Sequence, residues 1–215
     1  MERLLWLYSL PRDARFPVVC FDERPCFLIG NTVAALEMKA GSPLKEHYEY
    51  QKLGSCALLA AVEPKTGKRL AHVFDRRCKR EYALFLKELA AQFPAAVKIR
   101  LVQDNLNTHN TSSLYETFAA EEAFALSQRF EFYYTPKKAS WLNMQEIEFS
   151  AIARQCLNRR IATKAELARE VSAIVKEREG KAIKIEWQFS IASARTKLNR
   201  HYKQVQAENV RYKET

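Results

Sequence analysis

The stretch RLVQDNLNTHN, residues 100–110, changes character abruptly in its middle. Leu101 and Val102 belong to an apolar run typical of a buried β-strand, and polar residues follow from Asp104 onward. A carboxylate at the end of a strand can form an Asx turn with the next residue, here Asn105, or it can bind a metal ion. The pattern therefore predicts a strand that ends at Asp104 and leaves both roles open for its carboxylate.

Similar patterns outside this stretch predict a sheet that alternates with helices. Apolar runs predict two short strands at 16–25 and 26–30, a hairpin at 55–76, and strands at 97–104 and 130–136, with a long loop over 31–50. Apolar residues at helical spacing predict helices at 79–93, 111–130, 140–160, 163–179 and 190–205, and residues 1–10 also resemble a short helix. Antiparallel strands followed by alternating strands and helices indicate an α/β fold, a mixed sheet with helices on its faces.

The charge of the chain favours a polyanionic partner. Its 215 residues contain 35 Lys and Arg against 25 Asp and Glu, a net charge of +10. Residues 159–215 hold 14 of the basic residues and only 7 of the acidic ones. Nucleic acid is the first partner that such a surplus suggests, an anionic membrane surface is the second, and solvated helix faces are the alternative.

Other features of the composition exclude several classes of protein. The five cysteines are scattered and form no Cys-x-x-Cys pair, which argues against a zinc site. Their odd number and the lack of a signal peptide favour reduced thiols and a cytoplasmic location. No apolar run approaches the roughly 20 residues that cross a bilayer, so no membrane partner is expected.

Three carboxylates stand at strand ends and helix starts, which meet at one rim of an α/β sheet. They are Asp22 after the apolar run of the first strand, Asp104, and Glu146 near the start of a late helix. Gathered there, they would repel one another unless cations lay between them, and two Mg²⁺ ions about 3.5–4 Å apart are the usual arrangement in phosphodiester chemistry. Taken singly, each acid also suits a turn or a helix start, and Glu148 competes with Glu146 for the metal.

Three motifs carry a close resemblance to a known family: VVCFDE at 18–23, LVQDNLNTHNTSSLYETF at 101–118 and YTPKKASWLNMQEIEFSAIARQCLNRRI at 134–161. Together they resemble the catalytic domain of bacterial insertion-sequence transposases of the Tc/mariner superfamily, which are DDE endonucleases. The resemblance implies an RNase-H-like fold with a helical C-terminal extension. It also implies metal-dependent DNA cleavage and strand transfer, the chemistry of DNA transposition and integration.

The resemblance also implies roles for individual residues. The family's catalytic, metal-binding acids match Asp22, Asp104 and Glu146, with Glu146 chosen over Glu148 because it completes the motif NMQE. The implied cofactor is two Mg²⁺ ions per site, for which Mn²⁺ can substitute.

Several basic residues are candidates for DNA contact. His109 matches a histidine found shortly after the family's second Asp, where it either contacts DNA or a phosphate or holds the turn. Lys137 and Lys138 precede the catalytic helix, and they either touch a phosphate or are solvated. Arg159 and Arg160 begin the basic C-terminal part. Trp141 either packs under its loop, which we favour, or stacks on a flipped base.

The resemblance further suggests how the chain is organised. Residues 1–15 would be the remnant of a linker to a missing helix-turn-helix region, 16–160 the catalytic core, and 161–215 a basic helical part of the same domain. The expected partners are DNA, namely transposon ends and target, a separate helix-turn-helix product, and a second copy in an active homodimer at the nucleoid. The alternatives are a catalytically silent DNA-binding remnant or regulator, and a generic RNase-H-like nuclease.

Overall fold

A computed structural model describes residues 1–36, 38–43 and 45–210, of which 206–210 are described by backbone alone. The described residues form two compact units. One runs from Arg12 to Ile185, and the other combines Met1–Pro11 with the residues from Glu186 onward. These units group residues by contact, whereas the boundaries expected after residues 15 and 160 are functional divisions and stay predictions. No described helix is both long enough and apolar enough to cross a membrane.

The larger unit is built on a five-stranded mixed sheet. Its strands are β1 (Val18–Asn31), β2 (Tyr50–Glu63), β3 (Lys68–Phe74), β4 (Ile99–Gln103) and β5 (Phe130–Tyr134). They lie in the order β3-β2-β1-β4-β5, with antiparallel pairing from β1 to β3 and parallel pairing from β1 through β4 to β5. This arrangement confirms the predicted α/β fold with a mixed sheet.

The first strand differs from its prediction, because β1 continues through Pro25 where two short strands were expected. The parallel ladder between β1 and β4 covers only Val18–Cys20, so Pro25 lies beyond it and its missing N–H is not needed there. On the other side, Pro25 stays in register opposite Ala57 of β2. The prediction was wrong because a proline stops a strand only where its N–H would be required.

The long loop expected over 31–50 is confined to residues 32–49 because β2 begins at Tyr50. Two isolated bridges lie within the loop, Leu36 to Lys45 and Lys39 to Ser42. The first residues of β2 are exposed, and its buried residues begin at Cys56.

The described residues form eight α-helices: α1 (Glu2–Ser9), α2 (Lys79–Gln92), α3 (Ser112–Thr117), α4 (Ala120–Gln128), α5 (Gln145–Gln155), α6 (Lys164–Gly180), α7 (Ile191–Lys197) and α8 (Asn199–Val210). The helix predicted over 111–130 is divided into α3 and α4, because Phe118 adopts an extended conformation between them. The helix predicted over 190–205 is likewise divided at Leu198. The one predicted over 140–160 begins as a 3₁₀ turn, Ser140–Leu142, and ends at Gln155.

Helices cover both faces of the sheet and bury two apolar clusters. One face packs on α2 through a cluster that includes Val19, Phe21, Phe85 and Leu89. The other packs on α5 and α6 through a cluster that includes Cys26, Leu58, Phe149 and Val171. Since side chains alternate along a strand, the even-numbered residues of this part of β1, Asp22 among them, face the side of α5.

The smaller unit contains α1, α7 and α8. The rings of Tyr8 and Trp187 pack with their centroids 5.3 Å apart. Glu2 accepts hydrogen bonds from Arg195 at 2.8 and 2.9 Å and from the Tyr202 hydroxyl at 2.7 Å. These contacts lower the pKa of Glu2 from its ordinary 4.5 to about 2, chiefly through the hydrogen bonds from Arg195.

Candidate active site

The pairing of β1 with β4 brings two acids to the same level of the sheet. Cys20 on β1 lies opposite Val102 on β4, and the two strands run parallel. Asp22 follows Cys20 by two residues and Asp104 follows Val102 by two residues. Glu146 reaches this rim from the first turn of α5, which packs against β1 and β2. Three elements distant in sequence therefore present one carboxylate each.

The ionisation of Asp22 shows that these acids affect one another. Burial raises the pKa of Asp22 from its ordinary 3.8 to about 7, and the charges of Glu146 and Asp104 add to the rise. The backbone N–H of Glu23 donates a hydrogen bond to Oδ1 at 2.8 Å and partly opposes this shift. The ionised carboxylate is disfavoured because no adjacent cation outweighs its burial and the two neighbouring negative charges.

Asn143 joins Asp22 to the start of α5. Its side chain is 1% exposed, and Nδ2 donates hydrogen bonds to the Phe21 carbonyl at 2.7 Å and to Asp22 Oδ2 at 3.2 Å. Its Oδ1 accepts a hydrogen bond from the backbone N–H of Gln145 at 3.2 Å. One amide therefore fixes the distance between the strand that carries Asp22 and the helix that carries Glu146.

His109 is a structural neighbour of Asp104. Its side chain is 1% exposed, with Nδ1 at 2.5 Å from Asp104 Oδ1 and Nε2 at 3.3 Å from Glu23 Oε2. Its ring stacks on Tyr82 at 4.9 Å and meets the edge of Phe21 at 5.2 Å. Both ring nitrogens are engaged within the protein, which favours the turn-holding role over DNA contact, because a buried side chain is not presented to a ligand.

The same contacts set the ionisation of this pair. The hydrogen bond with His109 lowers the pKa of Asp104. Burial alone would lower the pKa of His109, but the hydrogen bonds with Asp104 and Glu23 raise it to about 9. Arg77 extends the chain of contacts, since its Nη1 donates to Glu23 Oε1 at 3.1 Å. Asp104 also accepts a hydrogen bond from the backbone N–H of Leu106 at 3.2 Å, so it forms the local turn as well.

Glu148, the competitor of Glu146, lies on the other side of α5. Its side chain is 2% exposed and pairs with Arg69 and Arg178. Those hydrogen bonds lower the pKa of Glu148 although burial alone would raise it. Glu146 is exposed. The pairing supports the choice of Glu146, since Glu148 is fully engaged inside the protein.

The carboxylates fit a hard divalent cation by chemistry, because Mg²⁺ and Mn²⁺ prefer carboxylate oxygen. As the side chains stand, no group of three or more His, Cys, Asp or Glu residues in the described part of the chain is arranged to hold a metal ion. Asp104 Oδ1 faces His109, and Asp22 Oδ2 faces Asn143. A carboxylate oxygen that accepts one hydrogen bond keeps a further lone pair, so these contacts orient the two side chains and leave oxygen available to an ion.

The remaining DNA-contact candidates lie in different settings. Lys137 and Lys138 are exposed in the turn after β5, where Lys138 has a φ of 59°. Arg159 pairs with Glu170. Arg160 donates hydrogen bonds to Asn31 Oδ1 at 2.8 Å and to the carbonyls of residues 47 and 49 at 2.6 and 3.1 Å. Arg160 thus anchors the loop before β2, whereas the two lysines are presented outward.

Trp141 is 47% exposed beside the start of α5, and its packing role stays a prediction.

Sequence reasoning missed the partners of these residues. Glu23 was part of a quoted motif, but its contact with His109 joins positions 86 residues apart. Arg69 contacts Glu148 across 79 residues. The only local signal was that Arg69 and Glu148 interrupt otherwise apolar patterns, and this does not show that the two residues pair with each other.

Comparison with known proteins gives a family and a set of similar structures. A family model described as DDE superfamily endonuclease matches residues 17–168. The crystal structure of the Mos1 mariner paired end complex with Mn is 12% identical over 85% of this chain, with a TM-score of 0.46, and that of a pre-cleavage Mos1 transpososome is 11% identical over 86%, with a TM-score of 0.49. The crystal structure of the Mos1 strand transfer complex gives 12% identity over 85% of this chain and a TM-score of 0.46.

The chain spans 59–61% of the length of those Mos1 chains. A search of curated protein sequences gives no match.

Proposed function

This chain belongs to the DDE superfamily of endonucleases, and on that premise we propose that it is the catalytic domain of a transposase. It would cleave DNA strands at transposon ends and join them to a target. The observation that carries the proposal is the placement of Asp22 and Asp104 two residues beyond a paired position of two parallel strands, with Glu146 close enough to raise the pKa of Asp22. The strand order β3-β2-β1-β4-β5 supports the RNase-H-like fold that the resemblance implies.

Each residue of the site has a proposed part. Asp22 and Asp104 would jointly hold one Mg²⁺, and Glu146 would complete the site of a second. Such ions, when bound, supply activation of a water or a 3′-hydroxyl and stabilisation of the leaving oxygen. Asn143 sets the distance of Asp22 from α5, and His109 orients Asp104 through its contact with Oδ1.

The DNA surface is proposed to include Lys137 and Lys138, because both are exposed immediately before the catalytic helix. Exposed lysines there can neutralise phosphates without reading the base sequence. Arg159 and Arg160 can join this surface only if they leave their present partners.

The proposal keeps the division of the chain and the partners that the sequence led us to expect. Residues 1–15 would be a linker remnant, 16–160 the catalytic core and 161–215 its basic extension. A helix-turn-helix product would supply end recognition, a homodimer would be the active form, and the site of action would be DNA in the cytoplasm.

A nicking assay tests the proposal. Purified protein with Mn²⁺ or Mg²⁺ is expected to nick supercoiled DNA, and Asp104→Asn is expected to lower the rate by about 10³-fold or more, since it removes charge from the metal site. Asp75→Asn is the matched control, because Asp75 is also an acid directly after a strand but pairs with Lys164, with 2.6 Å between Asp75 Oδ1 and Lys164 Nζ. Nicking that survives Asp104→Asn would overturn the assignment.

A second candidate is a DNA-binding remnant without catalysis. One observation favours it, namely that no described group of three acids or other ligands is arranged to hold a metal ion as it stands. DNA binding without any metal-dependent cleavage, even when a helix-turn-helix partner is supplied in trans, would establish this alternative.

A further inference from the structure

Glu148 makes an unusually complete set of contacts for a side chain near the start of a helix. Arg69 on β3 donates from Nε to Oε2 at 2.8 Å and from Nη2 to Oε1 at 2.9 Å. Arg178 on α6 donates from Nε to Oε2 at 3.1 Å and from Nη2 to Oε1 at 3.0 Å. One carboxylate therefore accepts four hydrogen bonds from two guanidinium forks, a geometry that fixes both its position and the plane of its oxygens.

The two arginines are themselves held in place. Arg69 Nη2 also donates to the carbonyl of Ile183 at 2.8 Å, and its Nη1 donates to the carbonyl of Gly67. The side chains of Arg69, Glu148 and Arg178 are 3%, 2% and 11% exposed. This Glu148 clamp, defined as these three residues, thus joins α5 to β3 and α6 inside the protein.

Glu146 has no comparable support. Within the described part of the chain, no hydrogen bond or ion pair holds its exposed side chain, so the helix backbone sets its direction. Residues two apart on an α-helix are separated by about 200° of rotation. An element that fixes Glu148 on the inner side of α5 therefore also fixes the direction in which Glu146 leaves the helix.

We infer that Glu148 is a positioning residue, which sets the rotation of α5 through Arg69 and Arg178 so that Glu146 faces Asp22 and Asp104. The inference rests on the proposed function, because it assigns the clamp a role only if Glu146 helps to hold a metal ion. Asn143 fixes the distance of α5 from β1, and the clamp fixes its rotation. Loss of the clamp should therefore weaken the metal site without touching a metal ligand.

The test compares Glu148→Gln with Glu179→Gln at a temperature well below the unfolding of both variants. Glu179 is a matched control because its carboxylate accepts a hydrogen bond from the backbone N–H of the same Arg69 at 2.5 Å but makes no link to α5. Three quantities are measured: Mn²⁺ binding to the protein by titration, the Mn²⁺ concentration for half-maximal nicking, and the Kd for DNA.

Glu148→Gln is expected to weaken Mn²⁺ binding and to raise the half-maximal Mn²⁺ concentration by about tenfold or more, as is typical when support behind a metal ligand is lost. Its Kd for DNA should stay within about twofold of the unsubstituted protein, and Glu179→Gln should leave the Mn²⁺ midpoint unchanged. If Glu148→Gln does not fold, Arg178→Gln replaces it, since that variant keeps the Arg69 half of the clamp, and a smaller shift in the same direction is expected.

An unchanged Mn²⁺ midpoint in the folded clamp variant would overturn the inference, and so would equal shifts in Glu148→Gln and Glu179→Gln. Failure of the proposed function is recognised separately: the unsubstituted protein would then bind no Mn²⁺ and nick no DNA, and the inference would fall with it. Nicking that Asp104→Asn abolishes but Glu148→Gln leaves at the same midpoint would reject the positioning role alone.

Discussion

The two sides of α5 differ in how the negative charge of their carboxylates is compensated. On the inner side, one carboxylate, Glu148, lies between two guanidinium groups and is 2% exposed. On the outer side, Glu146 lies close enough to Asp22 to raise its pKa, and of the three acids only Asp104 contacts His109. The inner cluster is balanced by the protein itself, whereas on the outer side burial, aided by the charges of Glu146 and Asp104, raises the pKa of Asp22 to about 7.

This difference separates structural from functional charge. A buried acid that serves the fold needs a partner in the same molecule, because breaking such a pair leaves an uncompensated charge. Acids left facing one another cost stability and suit a site where an external cation supplies the balance. The contrast within one helix therefore supports the choice of Glu146 over Glu148 that the motif NMQE implies.

The strongest test of the comparison is the stability of two matched variants. Glu148→Gln is expected to lower the free energy of unfolding by about 3–5 kcal/mol, because two buried guanidinium groups lose their carboxylate. Glu146→Gln is expected to change it by less than about 0.5 kcal/mol, because the side chain is exposed. Urea denaturation of both metal-free variants measures the difference, and equal losses would contradict the distinction between the two sides.

Metal addition and removal should affect only the outer side. Mn²⁺ at about 100 times its Kd is expected to stabilise the protein by about 2.7 kcal/mol per site, and a chelator should reverse the gain. Asp22→Asn should abolish this stabilisation, while Asp75→Asn should retain it. Thermal unfolding with and without Mn²⁺ measures the effect, and an equal gain in the Asp22 variant would mean that the ion binds elsewhere.

The buried histidine beside Asp104 gives a third, smaller effect. His109→Phe keeps a buried ring against Tyr82 and Phe21 but removes both hydrogen bonds. It is expected to cost about 1–3 kcal/mol, because Glu23, which is 7% exposed, loses one of its partners. His47→Phe, at an exposed histidine, serves as the control in denaturant unfolding. A loss no greater than that of the control would show that the His109 contacts do not matter for the fold.

The exposed pair of Glu2 and Arg195 is expected to give the smallest effect on stability. Because the pKa of Glu2 in the folded protein is lowered from 4.5 to about 2, its contribution to stability is present above pH 4.5 and is lost as the pH falls towards 2. Solvent screens this pair, so the effect should be small. Carboxyl NMR should give Glu2 a pKa near 2 that returns towards 4.5 in Arg195→Gln. A Glu2 pKa that is the same in both proteins would refute the assignment.

Much of the fold was predictable because its signals are local. The hairpin between β2 and β3 and the strands β4 and β5 follow from patterns of a few residues. The passage of β1 through Pro25 was not predictable, because it depends on where β4 stops pairing. The break at Phe118 depends in the same way on packing that the helical pattern of 111–130 does not contain.

In the candidate site, too, the residues marked by local patterns were predictable, and the contacts between distant residues were not. Asp104 and Glu146 were reached from a strand end, a helix start and a resemblance, which rest on short motifs. Asp22 was reached in the same way, although it lies within β1 and not at its end. The partners of Glu148 and His109 were not reached, because hydrogen bonds such as those from Arg69 and to Glu23 join strands and helices far apart in sequence.

The hydrogen bonds of Asn143 have a consequence for how such chains can change in length. Between Gln103 and Asn143 the chain passes through α3, α4, β5 and an exposed turn at 136–139 before it returns to β1. Asn143 donates a hydrogen bond to the Phe21 carbonyl, and Glu146 follows only three residues later. The position of the third acid is therefore set by its attachment to β1. Insertions or deletions before Asn143 can therefore alter the spacing between the second and third acids and leave their arrangement in space intact.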